Sequence, residues 1–99
     1  MPELDRYLWA IGHIHRRRLL LQLLETPMVH TSELNMSEGE KKLLLAEVKH
    51  AHLPKLADHD VIDWNPESNR VTRGSNFDEV EPLLELLDSN RERLPDGWV

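Results

Sequence analysis

Histidine is the residue type in this sequence that most suggests metal chemistry. The chain of 99 residues holds six of them: His13, His15, His30, His50, His52 and His59. Two imidazoles on one helix converge on a metal when they lie four residues apart, and no His-x-x-x-His pair is present. His50 and His52 would point to nearly opposite sides of a helix. We therefore expect no metal site, with a ligand shared by Glu47 and His50 as a minor alternative, and expect His50 or His52 to be a buried packing residue.

Other reactive arrangements are also missing from the sequence. The lack of cysteine excludes disulfides, thiolate catalysis and cysteine-ligated zinc. There is no G-x-S-x-G motif, no glycine-rich phosphate loop and no evident pair of carboxylates for acid–base chemistry. We expect a protein that is not an enzyme and that needs no cofactor. Because MPELDRYLWA does not resemble a secretion signal and no apolar run could span a membrane, we expect no membrane partner and a cytoplasmic location.

The basic residues are the remaining candidates for function, because lysine and arginine contact the phosphates of nucleic acids. The formal net charge of −6 argues against such a partner when taken alone. However, residues 16–73 hold nine basic and nine acidic side chains, whereas residues 74–99 hold seven acids and two arginines. The acidity is therefore concentrated in the C-terminal region, and the centre of the chain is neutral.

Helical periodicity predicts the elements that begin the chain. Leu4, Leu8 and Ile11 follow an i, i+4, i+7 pattern that is typical of a short amphipathic helix. Gly12 is expected to interrupt it. The run HIHRRRLLLQLLE then forms a second helix or continues the first, and Pro27 ends it.

A short strand and two helix starts are predicted next. We expect a brief strand from Met28 to His30. Thr31 or Ser32 is expected to be the N-cap of one or two helical turns. Ser37 is followed three residues later by Glu40, which is a capping-box pattern, so a longer helix is expected to begin there.

The stretch KHAHLPKLADHDVIDW places a proline inside the predicted end of this longer helix, which should run to about residue 58. Pro54 removes one backbone hydrogen bond, and its ring presses on the carbonyl group four residues earlier. A bend is expected there, with a buried hinge that follows it. The hinge residues are Leu53, Leu56, Val61 and Ile62.

The last third of the chain predicts a hairpin and a closing helix. VIDWN and RVTRG are two β-prone runs separated by a short loop between Asn65 and Asn69. Asn76 is the expected N-cap of a helix over residues 77–94, and Pro82 is expected to be tolerated there because the first turn has no intrahelical N–H bond to lose. The complete order is helix, strand, short helix, longer helix, hairpin, helix. We interpret residues 1–99 as one α+β domain of winged helix-turn-helix type, with a three-helix core and a two-stranded wing.

The segment HAHLPKLADHDVIDW also resembles a specific family. Together with the arginine-rich HRRRLLLQLLE, it is similar to winged-helix domains that are abundant in salt-loving archaea, over residues 13–73. The resemblance implies a transcription-regulator-like, DNA-binding protein in a cytoplasm of high potassium, where the Debye length is about 3 Å. The chain departs from the pattern at NMSEGE, where relatives often carry a longer insert.

On this interpretation the helix over residues 37–52 enters the major groove, and the wing over residues 61–73 contacts the DNA backbone or the minor groove. The side chains expected to contact double-stranded DNA are Thr31, Ser32, Ser37, Lys41, Lys42, Lys49, Arg70 and Arg73. Three glutamates lie among the lysines of this helix, so a solvated helix face is the alternative. For Arg70 and Arg73, pairing with Asp63 or Glu67 is the alternative.

Arg16, Arg17 and Arg18 form the densest basic cluster of the sequence. Successive helical residues lie about 100° apart, so the three side chains cannot all face one partner. One or two of them could contact backbone phosphate. We favour pairing with the acidic C-terminal region.

The terminal helices are expected to join two copies of the chain. A short chain buries a modest core, and dimerisation covers the apolar surface that is left. The expected interface residues are Leu4, Leu8, Ile11, Val80, Leu83, Leu84, Leu87 and Leu94, and Trp9 and Trp98 could add to them. The alternative function is a winged-helix protein–protein interaction module that binds no DNA. A metal- or ligand-sensing repressor is a third, less favoured class.

Overall fold

The computed structural model describes residues 3–31 and 51–99 of the chain. These parts form four helices and a three-stranded antiparallel sheet. The elements are α1 (Glu3–Ile11), α2 (Ile14–Glu25), β1 (Met28–His30), α3 (Leu53–Asp58), β2 (Ile62–Asn65), β3 (Arg70–Arg73) and α4 (Phe77–Ser89), followed by a 3-10 turn at Arg91–Arg93. The prediction of a small α+β architecture is confirmed. The predicted helix start at Ser37 lies outside the described residues.

The break between α1 and α2 lies at Gly12, as predicted. The Gly12 amide donates to the carbonyl of Trp9 at 3.0 Å, and a Cβ added at Gly12 would lie 3.1 Å from the carbonyl oxygen of Leu8. His13 is the N-cap of α2, and its Nδ1 accepts a hydrogen bond from the amide of His15 at 3.1 Å. An imidazole therefore does here what Ser, Asp or Asn usually does at a helix start.

The end of α2 follows from the proline after it. Thr26 is extended (φ −130°, ψ 140°), the conformation that a following proline imposes, and the helix ends at Glu25. The amide and the hydroxyl of Thr26 both donate to the carbonyl of Gln22, at 3.0 and 3.1 Å. The chain then enters β1 directly after Pro27.

The three strands pair in the order β1-β3-β2. Val71 of β3 lies opposite Val29 of β1 on one side and opposite Trp64 of β2 on the other. Val29 and Val71 are buried and Trp64 packs against the core, so this row faces inward. The strand at residues 28–30 and the hairpin are confirmed. The hairpin is not an isolated two-stranded ribbon, because β1 pairs with it along β3.

The hairpin turn is built from its two asparagines. The side-chain oxygen of Asn65 accepts hydrogen bonds from the amides of Glu67 and Ser68, at 3.0 and 3.3 Å. Asn69 has a φ of 56°, in the left-handed region that asparagine tolerates better than most residues. This local chemistry is why the predicted loop position is correct.

Pro54 lies in the first turn of α3, where no intrahelical N–H bond is needed. Ala51 and His52, directly before α3, form a wide π-type turn, so the helix type changes at this point. The bend predicted near Pro54 stays a prediction, because the chain before residue 51 lies outside the described residues. The predicted hinge is confirmed, because its four members are fully buried. They are Leu53, Leu56, Val61 and Ile62.

The closing helix α4 ends at Ser89, earlier than the predicted residue 94. The side-chain amide of Asn90 donates to the carbonyl of Leu86 at 2.7 Å and covers this end. Pro82 is the sixth residue of α4 and lies beyond the first turn, so the predicted reason for tolerating it is wrong. The helix lacks one backbone bond there, on an exposed side of the molecule.

Asn76 precedes α4 as expected, but its side chain does not cap the helix. Its amide donates instead to the carbonyl of His59, at 3.2 Å. This bond ties the start of α4 to the end of α3.

Candidate functional site

Arg73, at the end of β3, has an exposed side chain that binds the end of α2. Its Nε donates to the carbonyl of Leu23 at 2.7 Å, and a second nitrogen donates to the carbonyl of Leu24 at 3.0 Å. The guanidinium also lies 5.2 Å from the centre of the Phe77 ring. Because the last carbonyls of a helix have no intrahelical donor, Arg73 serves as a cap for α2. The predicted DNA contact of Arg73 is not tested by these bonds and stays a prediction.

Arg70 has a different position on the same strand. Residues alternate between the two faces of a strand, so Arg70 lies on the face opposite to the buried Val71. Its side chain is exposed, and its register partners are His30 and Asn65. Arg70 therefore remains accessible at the hairpin, which is what a DNA contact requires.

The arginine cluster at the start of α2 also binds carbonyl groups. Arg16 donates to the carbonyl of Trp9 at 2.7 Å and to that of Ala10 at 3.3 Å, and Arg17 donates to that of Ile11 at 2.7 Å. These three carbonyls are at the C-terminal end of α1. The pKa of each guanidinium is lowered, first by burial and then by the next arginine along the chain.

The expected pairing of this cluster with acidic side chains is not what these bonds show. Arg17 does reach the C-terminal region, but its Nε donates there to the backbone carbonyl of Trp98. Arg16 lies 4.2 Å above the ring of Trp9. Both arginines are thus fixed to backbone and aromatic groups and are poorly placed to contact phosphate.

The other predicted DNA contacts lie mostly in a segment without a described structure. Ser32, Ser37, Lys41, Lys42 and Lys49 lie outside the described residues. Thr31 is described and is only 3% exposed. Its amide donates to the carbonyl of Asn69 at 2.9 Å, so it joins the end of β1 to the hairpin turn. The prediction for the Thr31 side chain is corrected, because a buried side chain cannot touch a duplex.

The predicted dimer interface divides into core residues and surface residues. Val80 and Leu84 are fully buried inside a single copy, so neither can contact a second one. Their assignment is corrected. The half-buried members pack at the margin of the core or at the chain end: Ile11, Leu83, Leu87 and Leu94.

Among the described residues, three of the five large exposed apolar side chains lie on α1 and α4, and the other two are Met28 of β1 and Trp98. Leu4 and Leu8 of α1 are 57% and 46% exposed, and Leu86 of α4 is 62% exposed. The hydroxyl of Tyr7 donates to the carboxylate of Glu79 and joins the two helices. We refer to the exposed leucines Leu4, Leu8 and Leu86 together as the apolar surface of α1 and α4. The sequence analysis did not include Leu86. Leu86 lies outside the helical stripe that contains Leu83, Leu84 and Leu87, so the periodicity gave no reason to select it.

A shallow groove adjoins the C-terminal ends of these two helices. It is lined by Ile11, Arg17, Leu87 and Trp98. Trp98 is 53% exposed and keeps part of its ring on the surface, as a residue of a contact surface would.

Three histidines come together where α1, α2 and α3 meet. The ring centre of His13 lies 4.4 Å from that of His52 and 5.1 Å from that of His15, and His15 and His52 are 6.3 Å apart. We call these residues the histidine cluster. His52 is 6% exposed, which confirms the expectation that His50 or His52 is buried; His50 lies outside the described residues. Within residues 3–31 and 51–99, no group of three histidine or acidic side chains is arranged to hold a metal ion.

Comparison with protein-family models, curated proteins and solved structures finds no match to this chain. Among the described residues, no helix is both long enough and apolar enough to cross a membrane.

Proposed function

We propose that this chain is a winged-helix protein that binds double-stranded DNA and regulates transcription in the cytoplasm. The observation that carries the proposal is the arrangement of β1, α3 and the hairpin in the described part of the chain. β1 pairs with the second strand of a hairpin that directly follows a helix, and that hairpin exposes Arg70. We call the hairpin of β2 and β3 the wing.

In the proposed mechanism, the segment over residues 37–52 enters the major groove and the wing lies on the backbone or in the minor groove. Lys41, Lys42 and Lys49 would contact phosphates or guanine edges, and Arg70 would contact a phosphate beside them. Ser32 and Ser37 would add hydroxyl contacts. Arg73 holds β3 against α2 and acts only by positioning the wing.

The protein is proposed to bind as a homodimer through the apolar surface of α1 and α4. Two copies related by a twofold axis place two equivalent segments on a palindromic site, with centres about one helical turn of DNA apart. Burying Leu4, Leu8 and Leu86 of both copies would remove the largest exposed leucines among the described residues from water.

Fluorescence anisotropy with a generic duplex, from low to molar KCl, tests DNA binding. The decisive variant is K41A/K42A/R70A, which leaves Arg73 intact because its loss would weaken the fold. If each side chain contacts one phosphate, the slope of log Kobs against log salt should become less steep by about 3. The charge-matched control is K55A/R91A/R93A, whose residues lie outside the proposed interface, and it should keep the wild-type slope.

Two outcomes would overturn the proposal. One is the absence of wild-type binding at every salt concentration. The other is an equal decrease of the slope in both triple variants, because DNA binding would then depend on the net charge of the protein and not on residues 37–52 and the wing.

A second candidate is a winged-helix module that binds another protein and no DNA. Arg16, Arg17 and Arg73 are held by backbone carbonyls, which leaves fewer cations free for phosphate. The helix α4 exposes Leu86 among the acidic residues Asp78, Glu79 and Glu85. A pull-down with wild type and Leu86→Asp as baits separates the two candidates. A partner retained only by wild type, together with no DNA binding, would favour the second.

A further inference from the structure

The histidine cluster brings together residues that are far apart in the sequence. His13 and His15 begin α2, and His52 directly precedes α3. The cluster is therefore a contact between the corner of α1 and α2 and the chain that enters α3. It has no part in the proposed DNA contacts.

The hydrogen bonds of His13 and His52 identify the protonation state that the fold uses. Nδ1 of His13 accepts from the backbone amide of His15 at 3.1 Å. Nδ1 of His52 lies 3.2 Å from a guanidinium nitrogen of Arg16. An amide N–H and a guanidinium can only donate, so each Nδ1 must be the unprotonated nitrogen of a neutral ring. Both imidazoles are thus held as the tautomer with hydrogen on Nε2.

We propose that the histidine cluster is an acid-sensitive latch, in which protonation of His13 and His52 breaks both bonds and releases the start of α3 from the α1–α2 corner. A proton added to Nδ1 of His13 would meet the amide hydrogen of His15. A proton added to Nδ1 of His52 would meet the guanidinium of Arg16. In each case a favourable contact becomes a repulsive one.

Within residues 3–31 and 51–99, the charges around the two rings act in the same direction. His13 lies at the N-terminal end of α2, where the helix dipole disfavours a cation. Its ring centre is 4.4 Å from that of His52, so two protonated rings would repel each other. Arg17 follows Arg16 on α2. The guanidinium of Arg16 lies over the ring of Trp9, and His59 at the end of α3 contacts the same ring. His15 completes the cluster.

The sign of the pH effect follows from these contacts. The folded state binds protons at His13 and His52 less readily than the unfolded chain, in which histidine titrates near pH 6.5. The stabilisation is therefore complete above about pH 6.5 and is lost as the pH falls below it. A tenfold weaker proton affinity at one ring lowers the folding equilibrium constant about sevenfold between pH 7.5 and pH 5, and the same change at both rings lowers it about fiftyfold.

Nuclear magnetic resonance of the wild-type chain gives the first test. Long-range correlations between ring protons and nitrogens should show His13 and His52 as Nε2–H tautomers at pH 7.5. Their titration midpoints should lie below about pH 6.5, the value for an unfolded chain. Nδ1–H tautomers, or midpoints at or above that value, would overturn the proposal without any variant.

The second test is H13N/H52N, compared with wild type by urea denaturation at pH 7.5 and pH 5.5. The asparagine oxygen can replace each Nδ1 as an acceptor, and asparagine is a good N-cap, but neither side chain takes up a proton. The variant should fold at pH 7.5 and lose most of the acid sensitivity of the wild type. If it fails to fold at pH 7.5, the wild-type titration decides.

His59→Gln is the matched control, since it removes one titratable ring outside the cluster. It should keep the pH dependence of the wild type. If H13N/H52N retains the wild-type pH dependence, or if His59→Gln removes as much of it, the latch is refuted.

Discussion

Replacing Gly74 with alanine should strongly destabilise the chain, because Gly74, between β3 and α4, lies against the backbone that connects α3 to β2. It follows β3, and its amide donates to the carbonyl of Val61 at 3.0 Å. An added Cβ would overlap the carbonyl oxygen of Asp60 and lie 2.8 Å from both the carbonyl carbon of Asp60 and the amide nitrogen of Ile62. All three atoms are backbone, so no side chain can rotate away to make room.

The expected cost combines steric overlap with weakened hydrogen bonds. Overpacking costs about 1–3 kcal/mol where the surroundings can adjust, and backbone adjusts poorly. Moving Asp60 away would also stretch the bond from the amide of Asn76 to its carbonyl, now 2.8 Å, and the bond from Gly74 to Val61. Each is worth about 1 kcal/mol. We expect Gly74→Ala to lower the free energy of unfolding by about 3 kcal/mol, or the Tm by roughly 12–24 °C.

Urea denaturation followed by circular dichroism at pH 7.5 measures this loss. The control is Gly97→Ala, which tests backbone conformation without crowding. Gly97 has a φ of 86°, but nothing lies within 4 Å of an added Cβ, and it is near the chain end. The control should cost at most about 1 kcal/mol. If Gly74→Ala is within 0.5 kcal/mol of wild type, or no worse than Gly97→Ala, the steric reasoning is wrong.

Three further outcomes are expected from single substitutions. Leu84→Ala should lower the free energy of unfolding by about 2–5 kcal/mol because it leaves a cavity, whereas Leu86→Ala should change it by less than about 0.5 kcal/mol, both measured by urea denaturation. In sedimentation equilibrium, the wild type should have the mass of a dimer and Leu86→Asp the mass of a monomer. A Leu86→Asp protein that is still a dimer would exclude the apolar surface of α1 and α4 as the interface. Arg73→Ala should lower the free energy of unfolding by about 1 kcal/mol in melting experiments and keep the DNA affinity of the folded protein in anisotropy experiments. Arg70→Ala should keep the stability and lower the DNA affinity in the same two experiments.

Local signals in the sequence predicted the element boundaries well. Gly12, Pro27 and the two asparagines of the hairpin turn act through their own backbone preferences, so their positions follow from residue type. The sequence could not show that β1 joins the hairpin. That pairing brings residues 28–30 beside residues 70–72, and strand pairing at such a distance is decided by the whole fold.

The apolar pattern of α4 shows where periodicity stops being informative. Val80, Leu84 and Leu86 belong to one leucine-rich helix, yet the first two are fully buried and the third is 62% exposed. Periodicity identifies an apolar face, but it does not say whether that face is covered by α2 of the same chain or by a partner. This is why Val80 and Leu84 were predicted at an interface. Leu86 was overlooked because it lies outside the predicted apolar face.

The sequence analysis missed the carbonyl contacts of Arg16, Arg17 and Arg73 for a related reason. Arginine was interpreted through its charge, as a partner for phosphate or for acidic side chains. Neither α1 nor α2 carries a basic residue in its last turn, so the carbonyls at both helix ends lack a local cation. Arg16 and Arg17 supply one to α1, and Arg73 supplies one to α2 across the fold. A spacing rule cannot reveal a donor that lies 49 or 50 residues away.

These carbonyl contacts connect the fold to the question of a nucleic-acid partner. A guanidinium that binds the C-terminal end of a helix is directed at a partial negative charge of about half an electron. Moving it to a phosphate would leave those carbonyls without their donor, so the DNA contact would come at the expense of the fold. The cations free to bind DNA must therefore come from residues with no such role, which among the described wing residues means Arg70. In the proposed arrangement, the lysines of residues 37–52 and Arg70 supply the phosphate contacts, and the salt dependence of K41A/K42A/R70A measures their contribution directly.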